Sequence, residues 1–573
     1  MLLRRYNAAA MQNFISFLGI FVFIFLAWTL SEDRKRFPWR VVFWGLGLQF
    51  AFAILVFSWT PGARFFLRLN DVFNALLNFS KEGALFVFGS IGAETGNGGV
   101  LTLKEYLTRL GASSTDPVIQ NAVRTGTVPG MFLAFQVLTT IIFFSALLSI
   151  LYYLGVMQKV VVFFAKIMQH TMRVSGAEAL SNSANIFVGQ TEAPLVVKPY
   201  IENMTRSELN AIMVGGFANT AGGVLGAYIL MLSGYFPNIA AHLISASILS
   251  APAGFIVAKI MIPEREKPAT LGEAAFEVPS EDVNLLDAAA SGSTVGLQLT
   301  LNVIGMLFSF VAIIAMANVM VGWLGSFFAS TDGLIQLDLI LIAMATGLLV
   351  VSGIGKVSDL FLWSTLFIVL GAYGIAAYVR PDAARMVALI GFALWLPILV
   401  LAIRKTVPLK KSIYGIGVAL AAANLSFVFF GPLGSGTPLS MQLVLGWLHW
   451  PVAFLMGTPI QDCLVVGRML GEKLILTEFV AYADLAGYLQ AVRQGTATAL
   501  DPRSIVITSY ALSGFANFVS IAIQIGGISP LAPSRRHEIA RLGLKAMIGG
   551  AITSYIIACV AGTFYNGVSM LGI

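Results

Sequence analysis

An amide, a hydroxyl and a carboxylate stand side by side at Gln190, Thr191 and Glu192, inside the otherwise apolar stretch NIFVGQTEAPLVV. A second acidic residue in a similar setting is Glu478, which follows Thr477 in GEKLILTEFVAYADL. A carboxylate at membrane depth costs at least about 2.5 kcal/mol, so it is tolerated mainly where it lines a cavity, pairs with another group or binds a ligand. Both glutamates are therefore candidates for binding a polar solute. The alternative is that each one caps exposed backbone N–H groups at a turn.

The composition places these residues in a membrane protein. Of 573 residues, 57% are hydrophobic and only 11% are charged, and the mean hydropathy is +0.84. Soluble domains carry about 25% charged residues. Apolar runs of about 20 residues recur along the whole chain, which predicts one all-α polytopic membrane protein without a separate soluble domain. The net charge of +7 comes from basic residues in short loops, where they orient the protein, so nucleic acid binding is not expected.

The hydrophobic runs predict the membrane spans. We expect them at 13–30, 39–59, 129–155, 207–231, 240–262, 295–325, four times between 335 and 431, and at 504–528 and 543–563. The basic loops agree with one topology, with the N-terminus outside, if two further stretches are re-entrant. The stretch 174–203 would enter from the cytoplasm, and 455–490 would enter from outside.

An amphipathic segment, a glycine-rich segment and two cysteines are not expected to bind a ligand. Val156–Met172 carries Lys159, Lys166 and His170 along one face, which predicts a helix in the membrane interface. The glycine-rich GSIGAETGNGG, at 89–99, is expected to be a plain loop. Cys463 and Cys559 lie far apart in apolar surroundings, which favours neither a disulfide framework nor a metal site.

The polar motifs form an internal repeat. A Thr-Glu pair precedes a Gly-Phe-Ala-Asn segment in both halves, first before GGFANTAGGV and then before SGFANFVSI. The predicted topology gives the copies opposite orientations, and such inverted repeats are typical of secondary transporters with a binding site near the midplane. The GFAN segments suit a helix that breaks and presents backbone carbonyls. Close helix packing is the alternative for their glycines, and a buried interhelical hydrogen bond is the alternative for Asn219 and Asn517.

Three stretches together resemble the concentrative nucleoside transporters: NIFVGQTEAPLVVKPYI, GEKLILTEFVAYADL and GFANFVSIAIQIGGISPLAPSRR. The family signature runs G-x-K-x-x-x-N-E-F-V-A-[YMF], and Thr477 stands at its Asn. The resemblance covers about 174–325 and 440–563. It implies a homotrimer that couples nucleoside uptake to a sodium or proton gradient, with an inner transport domain that moves like an elevator against a scaffold. For this chain we expect the bacterial inner membrane.

The resemblance also implies which residues meet each ligand. The residues expected at the nucleobase are Gln190, Thr191, Glu192 and Val224. Those expected at the ribose are Glu478, Phe515, Asn517 and Ser520. A sodium ion would be held by Asn185, Val188, Asn219 and Thr220. Asn219 stands where sodium-coupled members have Ser or Thr, so protons remain an alternative coupling ion. No organic cofactor is expected.

The same reading divides the chain into five segments. Residues 1–173 would form scaffold helices and the interfacial helix, and 174–262 the first transport repeat. A cytoplasmic loop and a long scaffold helix would follow at 263–330. Residues 331–439 are expected to be inserted transmembrane helices, and 440–573 the second repeat with a C-terminal helix.

Two other classes of function remain as alternatives. The repeat alone would also suit a transporter or channel for another small polar solute. A membrane-embedded enzyme could use Glu192 and Glu478 as an acid and base pair. No HExxH motif, nucleophile elbow or His/Cys cluster accompanies these glutamates, so we expect no enzyme activity.

Overall fold

The computed structural model describes residues 2–88, 133–272, 282–329 and 440–565, and every regular element within these ranges is helical. The first helices are α1 (Leu2–Thr29), α2 (Trp39–Ala53), α3 (Thr60–Phe88), α4 (Thr139–Tyr153), α5 (Val156–Met172), α6 (Gly176–Ala184) and α7 (Lys198–Ile201). Then follow α8 (Arg206–Ala218), α9 (Gly222–Leu232), α10 (Ile239–Met261) and α11 (Leu285–Ala329). The last are α12 (Met441–Leu455), α13 (Cys463–Ile475), α14 (Glu478–Arg493), α15 (Pro502–Leu512), α16 (Phe518–Ile528) and α17 (Arg536–Phe564).

Within the described ranges, seven helical segments are long and apolar enough to cross a membrane. They are Ala10–Thr29, Trp39–Ser58, Ala134–Tyr153, Arg206–Leu232, Ile239–Met261, Leu285–Gly322 and Pro533–Phe564. The all-helical membrane architecture predicted from composition is confirmed by these segments. The glycine-rich loop at 89–99 and the four predicted spans of the insertion at 331–439 lie outside the described residues.

The chain divides into two compact units. One comprises Met1–Phe310 and Leu445–Ile573, and the other comprises Val311–Val444. Every residue predicted to bind a ligand belongs to the first unit. The finer division into five functional segments stays a prediction.

The core of the first unit is built around α17, which packs against α1, α8, α10, α15 and α16. Small residues allow this close packing: a Cβ at Gly550 would lie 2.4 Å from the Phe217 Cβ on α8. The span that contains α17 is 83% buried and the span of α8 and α9 is 94% buried, whereas the span in α1 is 33% buried. The repeat segments therefore form the interior, and α1 has one face left exposed.

Two helical hairpins flank this core. In the first hairpin, residues 176–201, α6 is followed by a turn, a 3-10 helix at Ala193–Val197 and the short α7. A complete capping box begins α6, because Ser175 and Glu178 exchange side-chain and backbone hydrogen bonds. In the second hairpin, residues 463–493, α13 and α14 pack against each other and are joined at Leu476 and Thr477.

Two interrupted helices meet beside the hairpins. The first broken helix, residues 206–232, is interrupted between α8 and α9, and the second, residues 502–528, between α15 and α16. Gly514 lies in the second interruption with a φ of +91°, a conformation that favours glycine. Its N–H donates to Thr220 Oγ1 over 2.9 Å, so the two interruptions touch.

The loop after α1 is tied to α8 and α17 by ion pairs. Glu32 accepts from Arg206 over 2.9 Å and from Lys545 over 3.1 Å. The hydrogen bond from Arg206 lowers the pKa of the Glu32 carboxyl. Because both side chains are partly exposed, this pair contributes little to stability.

Two helices were not expected from the sequence. The 29-residue α3 carries Arg64, Arg68 and Asp71, and these charges dilute its hydropathy below that of a membrane span. The apolar α12 has 15 residues, which is too short for a predicted span. The helix predicted over Val156–Met172 is present as α5, and its three basic side chains are exposed. Its place in the membrane interface stays a prediction.

Candidate functional site

A cavity of about 570 Å³ lies where the tips of both hairpins meet both helix interruptions. This volume falls within the range of small-molecule sites, about 300–1,000 Å³. Apolar and hydroxyl side chains of α4 and α11 also line the cavity, among them Ser145, Leu148 and Met306. All eight residues predicted to bind substrate line this one cavity: Gln190, Thr191, Glu192, Val224, Glu478, Phe515, Asn517 and Ser520.

Glu478 is the most firmly held acidic group in the cavity wall. It is 5% exposed and occupies the first position of α14, where the positive end of the helix dipole favours a carboxylate. Its Oε1 accepts from the Tyr228 hydroxyl over 2.8 Å, and its Oε2 accepts from Asn517 Nδ2 over 2.9 Å. Two neutral donors thus fix the carboxylate, and each oxygen retains capacity to accept from a ligand hydroxyl.

Asn517 is fixed by its place at the end of the second interruption. It is the N-cap of α16, because its Oδ1 accepts from the Ser520 N–H over 2.8 Å. This bond leaves Nδ2 to donate to Glu478. The buried interhelical hydrogen bond that was the alternative for Asn517 is present, since it joins the start of α16 to Glu478 on α14. Asn517 is in addition a helix cap that lines the cavity.

The first hairpin contributes two buried side-chain oxygens that accept no hydrogen bond from any described residue. Within the part of the chain that the structure describes, Gln190 Oε1 and Glu192 Oε2 are buried and have no hydrogen-bond partner. Gly189 makes room for the carboxylate, since a Cβ there would lie 2.1 Å from Glu192 Oε2. Buried polar groups in folded proteins nearly always have partners. Two unpaired acceptors on the cavity wall therefore point to a ligand that supplies donors.

Thr477, which stands at the Asn position of the family signature, caps the helix that carries Glu478. Its side chain caps α14 by accepting from the Val480 N–H over 3.4 Å. Thr and Asn are both favoured at this position of a helix. The replacement of Asn by Thr thus preserves the cap that positions Glu478.

Two residues that shape the site were not among the predicted site residues. The buried Lys473 donates to the Ala511 and Ser513 carbonyls over 2.8 and 2.9 Å and to Ser554 Oγ over 2.9 Å, which fixes the end of α15. It occupies the Lys of the family signature, so the signal was present in the sequence. Tyr228 lies in the apolar run GAYILML, where nothing in the sequence indicates that it meets Glu478.

The four residues predicted to hold a cation lie at the first hairpin tip and the first interruption. These two segments are joined by the Gly222 N–H, which donates to the Phe187 carbonyl over 3.0 Å. Asn185 donates to the Gly215 carbonyl, and Asn219 accepts from the Ser250 hydroxyl. Thr220 Oγ1 accepts from Gly514, and Val188 lines the cavity.

The donor set fits a hard monovalent cation better than a transition metal. Amide, hydroxyl and carbonyl oxygens are the ligands that hard cations prefer. Among the described residues, no group of three or more His, Cys, Asp or Glu side chains could hold a metal ion. Cys463 and Cys559 are both buried and free.

Family models match most of the described chain. The model described as "Na+ dependent nucleoside transporter C-terminus" matches residues 242–369 and 413–562, and the corresponding N-terminal model matches residues 18–91. A third model, described as "Nucleoside recognition", matches residues 134–235. The matches thus include both broken helices and the first hairpin.

Curated relatives carry the same family name. Sodium/nucleoside cotransporter 1 of Rattus norvegicus is 32% identical over 562 residues, which cover 97% of this chain and 64% of the relative. Sodium/nucleoside cotransporter 2 of Mus musculus is 31% identical over 562 residues, with 97% of this chain and 63% of the relative covered. The chain thus spans under two thirds of the length of these relatives. They are named as cotransporters and not as enzymes.

Solved structures match over nearly their whole length. CNTnw in an inward-facing substrate-bound state is 30% identical, with a TM-score of 0.67, and the match covers 96% of this chain and 97% of CNTnw. A CNTnw variant in an outward-facing state is also 30% identical, with a TM-score of 0.68 and coverage of 97% and 99%. The helical architecture described above is therefore the one found in these structures.

Proposed function

The chain belongs to the Na+-dependent nucleoside transporter family, as its resemblance to the concentrative nucleoside transporters predicted, and we propose that it is a sodium-coupled nucleoside symporter. The observation that carries the proposal is the cavity between the hairpin tips. Its wall combines unpaired acceptors at Gln190 and Glu192 with the fixed carboxylate of Glu478. A nucleoside supplies hydroxyl and N–H donors to both kinds of group.

The two halves of the cavity would bind the two halves of the substrate. We assign the nucleobase to the first hairpin, where Gln190, Thr191 and Glu192 stand beside Val224. An amide and a carboxylate can match the donors and acceptors of a base edge directly or through water. We assign the ribose to Glu478, Phe515, Asn517 and Ser520, because ribose hydroxyls are donors that a carboxylate accepts strongly.

Sodium would bind next to the nucleobase side. Asn185, Val188, Asn219 and Thr220 can offer side-chain and backbone oxygens at the junction of the first hairpin and the first interruption. When bound, the ion supplies a positive charge that offsets the Glu192 carboxylate nearby in the chain. Protons remain the alternative coupling ion, because the family's Ser or Thr is Asn219 here.

The transport step is proposed to be an elevator movement of the hairpins and broken helices against a scaffold. CNTnw has been solved in an inward-facing state, and variants of it in outward-facing and intermediate states. An elevator mechanism requires such a series of states. A homotrimer in a bacterial inner membrane is part of the same proposal. An inserted segment at 331–439 would add to the scaffold.

Uptake of labelled uridine into proteoliposomes tests this function. An inward sodium gradient and an inward proton gradient are imposed in separate runs. We expect uphill accumulation with sodium. Accumulation with protons alone would reassign the coupling ion, and no accumulation with either gradient from folded protein would remove the nucleoside assignment.

A substitution then tests the ribose site. Glu478→Gln keeps the shape of the side chain but removes the charge that ribose hydroxyls would meet, so uptake should be lost while the melting temperature stays near that of the wild type. The matched control is Glu82→Gln, which removes an exposed carboxylate from α3. Near-normal uridine uptake by Glu478→Gln would contradict the assignment.

A further inference from the structure

A second carboxyl group is buried in the second hairpin, away from the cavity. Glu472 lies one turn before the hairpin tip, at the variable position between Gly471 and Lys473 of the family signature. Its side chain is 4% exposed, and neither it nor the nearby Asp484 and Arg468 lines the cavity. The substrate site therefore does not explain why a glutamate is buried here.

The immediate partner of Glu472 is another carboxyl group. Arg468 lies one turn before Glu472 on α13 and pairs with Asp484 over 2.7 Å, and Asp484 lies on α14, which packs against α13. The Glu472 and Asp484 carboxyl groups thus come together between the two legs of the hairpin, close enough to share a hydrogen bond. In the described part of the chain, Glu472 Oε2 is buried and finds no donor. Two carboxylates and one guanidinium carry a net charge of −1. Two carboxylate oxygens only accept hydrogen bonds, so they can bond to each other only if one of them carries a proton.

Within the described ranges, the other titratable groups near the pair already have partners of their own, and Arg468 Nε is a buried donor without one. These groups are Tyr488 on α14, His449 on α12, Lys473 on α13 and Arg503 on α15, together with Asp462 just before α13, which accepts from the Asp501 N–H and the Ser504 hydroxyl. His449 Nδ1 contacts the Leu445 carbonyl, and the Tyr488 hydroxyl donates to the Thr498 carbonyl. Lys473 already donates to three oxygens of α15 and α17, and Arg503 donates to the Gly457 carbonyl. No residue of α16 is titratable.

We propose that Glu472 and Asp484 form a proton-binding site, in which one proton from water is shared between the two carboxyl groups and neutralises the cluster with Arg468. The site rests on the proposed function, in which the second hairpin moves through the membrane. An uncompensated charge at membrane depth is costly. The protonated hairpin is thus the form that moves readily, and nucleoside uptake accelerates as the pH falls.

The proposal assigns a proton and not a metal ion to this site. The Arg468 guanidinium touches Asp484 and would repel a bound cation. A proton shared between two carboxyl groups needs only one oxygen from each of them. The site is also separate from the residues proposed to hold sodium, all of which belong to the first hairpin and the first interruption.

Uridine uptake at several pH values tests the site. Proteoliposomes with equal pH on both sides receive the same inward sodium gradient at each pH from mildly acidic to mildly alkaline. We expect wild-type uptake to rise on acidification. Glu472→Gln mimics the protonated carboxyl and can donate to Asp484, so its uptake should stay at the wild-type acidic rate across the range. Glu266→Gln, which removes an exposed carboxylate, should keep the wild-type pH profile.

A melting experiment separates this proposal from the transport function. If the folded protein holds one proton more than the unfolded chain, the wild-type melting temperature falls as the pH rises from the range where free carboxyl groups ionise up to the pH at which the pair ionises, and it levels off above that pH. This slope should be absent from Glu472→Gln, even if the protein moves no uridine. Asp484→Asn gives an independent variant, which should also lose the slope.

Three results would overturn the site. One is a Glu472→Gln variant that keeps the wild-type pH dependence of both uptake and melting. Another is a Glu472→Gln variant whose sodium dependence of uptake changes while its pH profile does not, which would indicate a metal cation. The third is a wild-type protein whose uptake and melting are both independent of pH.

Discussion

Replacing Gly514 by alanine should separate the two helix interruptions. Gly514 has a φ of +91°, which L-residues rarely adopt. A Cβ at this position would lie 2.5 Å from the Ala218 carbonyl oxygen and 2.8 Å from that of Phe217. Both contacts are with backbone atoms at the end of α8, so no side chain can rotate away to relieve them. The hydrogen bond from Gly514 to Thr220 would be lost with the displacement.

The expected loss follows from these two effects. A positive φ costs an L-residue about 1–2 kcal/mol, and forcing an extra group into a packed interior typically costs about 1–3 kcal/mol. Gly514→Ala should thus destabilise the protein by about 2–5 kcal/mol. Because Phe515 and Asn517 belong to the same interruption and line the cavity, uridine uptake should fall as well.

The assay compares melting temperatures of purified protein in detergent, followed by uridine uptake in proteoliposomes. The matched control is Gly526→Ala in α16, where a Cβ meets nothing within 4 Å. A helical Gly→Ala change there should be neutral or stabilising by about 0.5–1 kcal/mol. This prediction is wrong if Gly514→Ala has the same melting temperature as Gly526→Ala and takes up uridine normally. In that case the contact between the two helix interruptions does not stabilise the site.

Two further substitutions test how the second hairpin positions Glu478. Thr477→Asn should keep both stability and uridine uptake, because either side chain caps α14, whereas Thr477→Ala should cost about 1 kcal/mol and lower the melting temperature. Lys473→Met removes the Lys473 donor from the Ala511 carbonyl and leaves the Ser513 carbonyl with the Ser554 hydroxyl as its donor, so it should destabilise the protein by about 1–3 kcal/mol and reduce uptake. Lys166→Met on the exposed face of α5 should change neither.

Much of the helical architecture could be predicted because its signals are local. The length of an apolar run indicates a membrane helix, and the Gly-Phe-Ala-Asn segments indicated where two helices would be interrupted. The structure interrupts them at 219–221 and 513–517. The long helix α3 was missed because charged residues such as Arg64 and Asp71 lower its hydropathy. Hydropathy alone does not identify an amphipathic helix.

The site was predictable only as far as its motifs extend. The repeated Thr-Glu and Gly-Phe-Ala-Asn motifs and the family signature indicated eight residues that line one cavity in the structure. That these residues bind a nucleoside stays a prediction. Tyr228 was missed because its partner Glu478 is 250 positions away in the sequence, and only the folded chain brings the two together. Glu472 was missed because its significance comes from Asp484, on the other leg of the hairpin.

The hydrogen bond between Gly514 and Thr220 has a thermodynamic consequence. It joins the interruption that carries the proposed sodium ligands to the one that presents Phe515 and Asn517 to the cavity. An ion that orders Thr220 therefore also orders the wall on which the ribose would rest. Linkage makes such an effect reciprocal: nucleoside must tighten the binding of sodium by the same factor by which sodium tightens the binding of nucleoside. The affinity measured for either ligand would then depend on the concentration of the other.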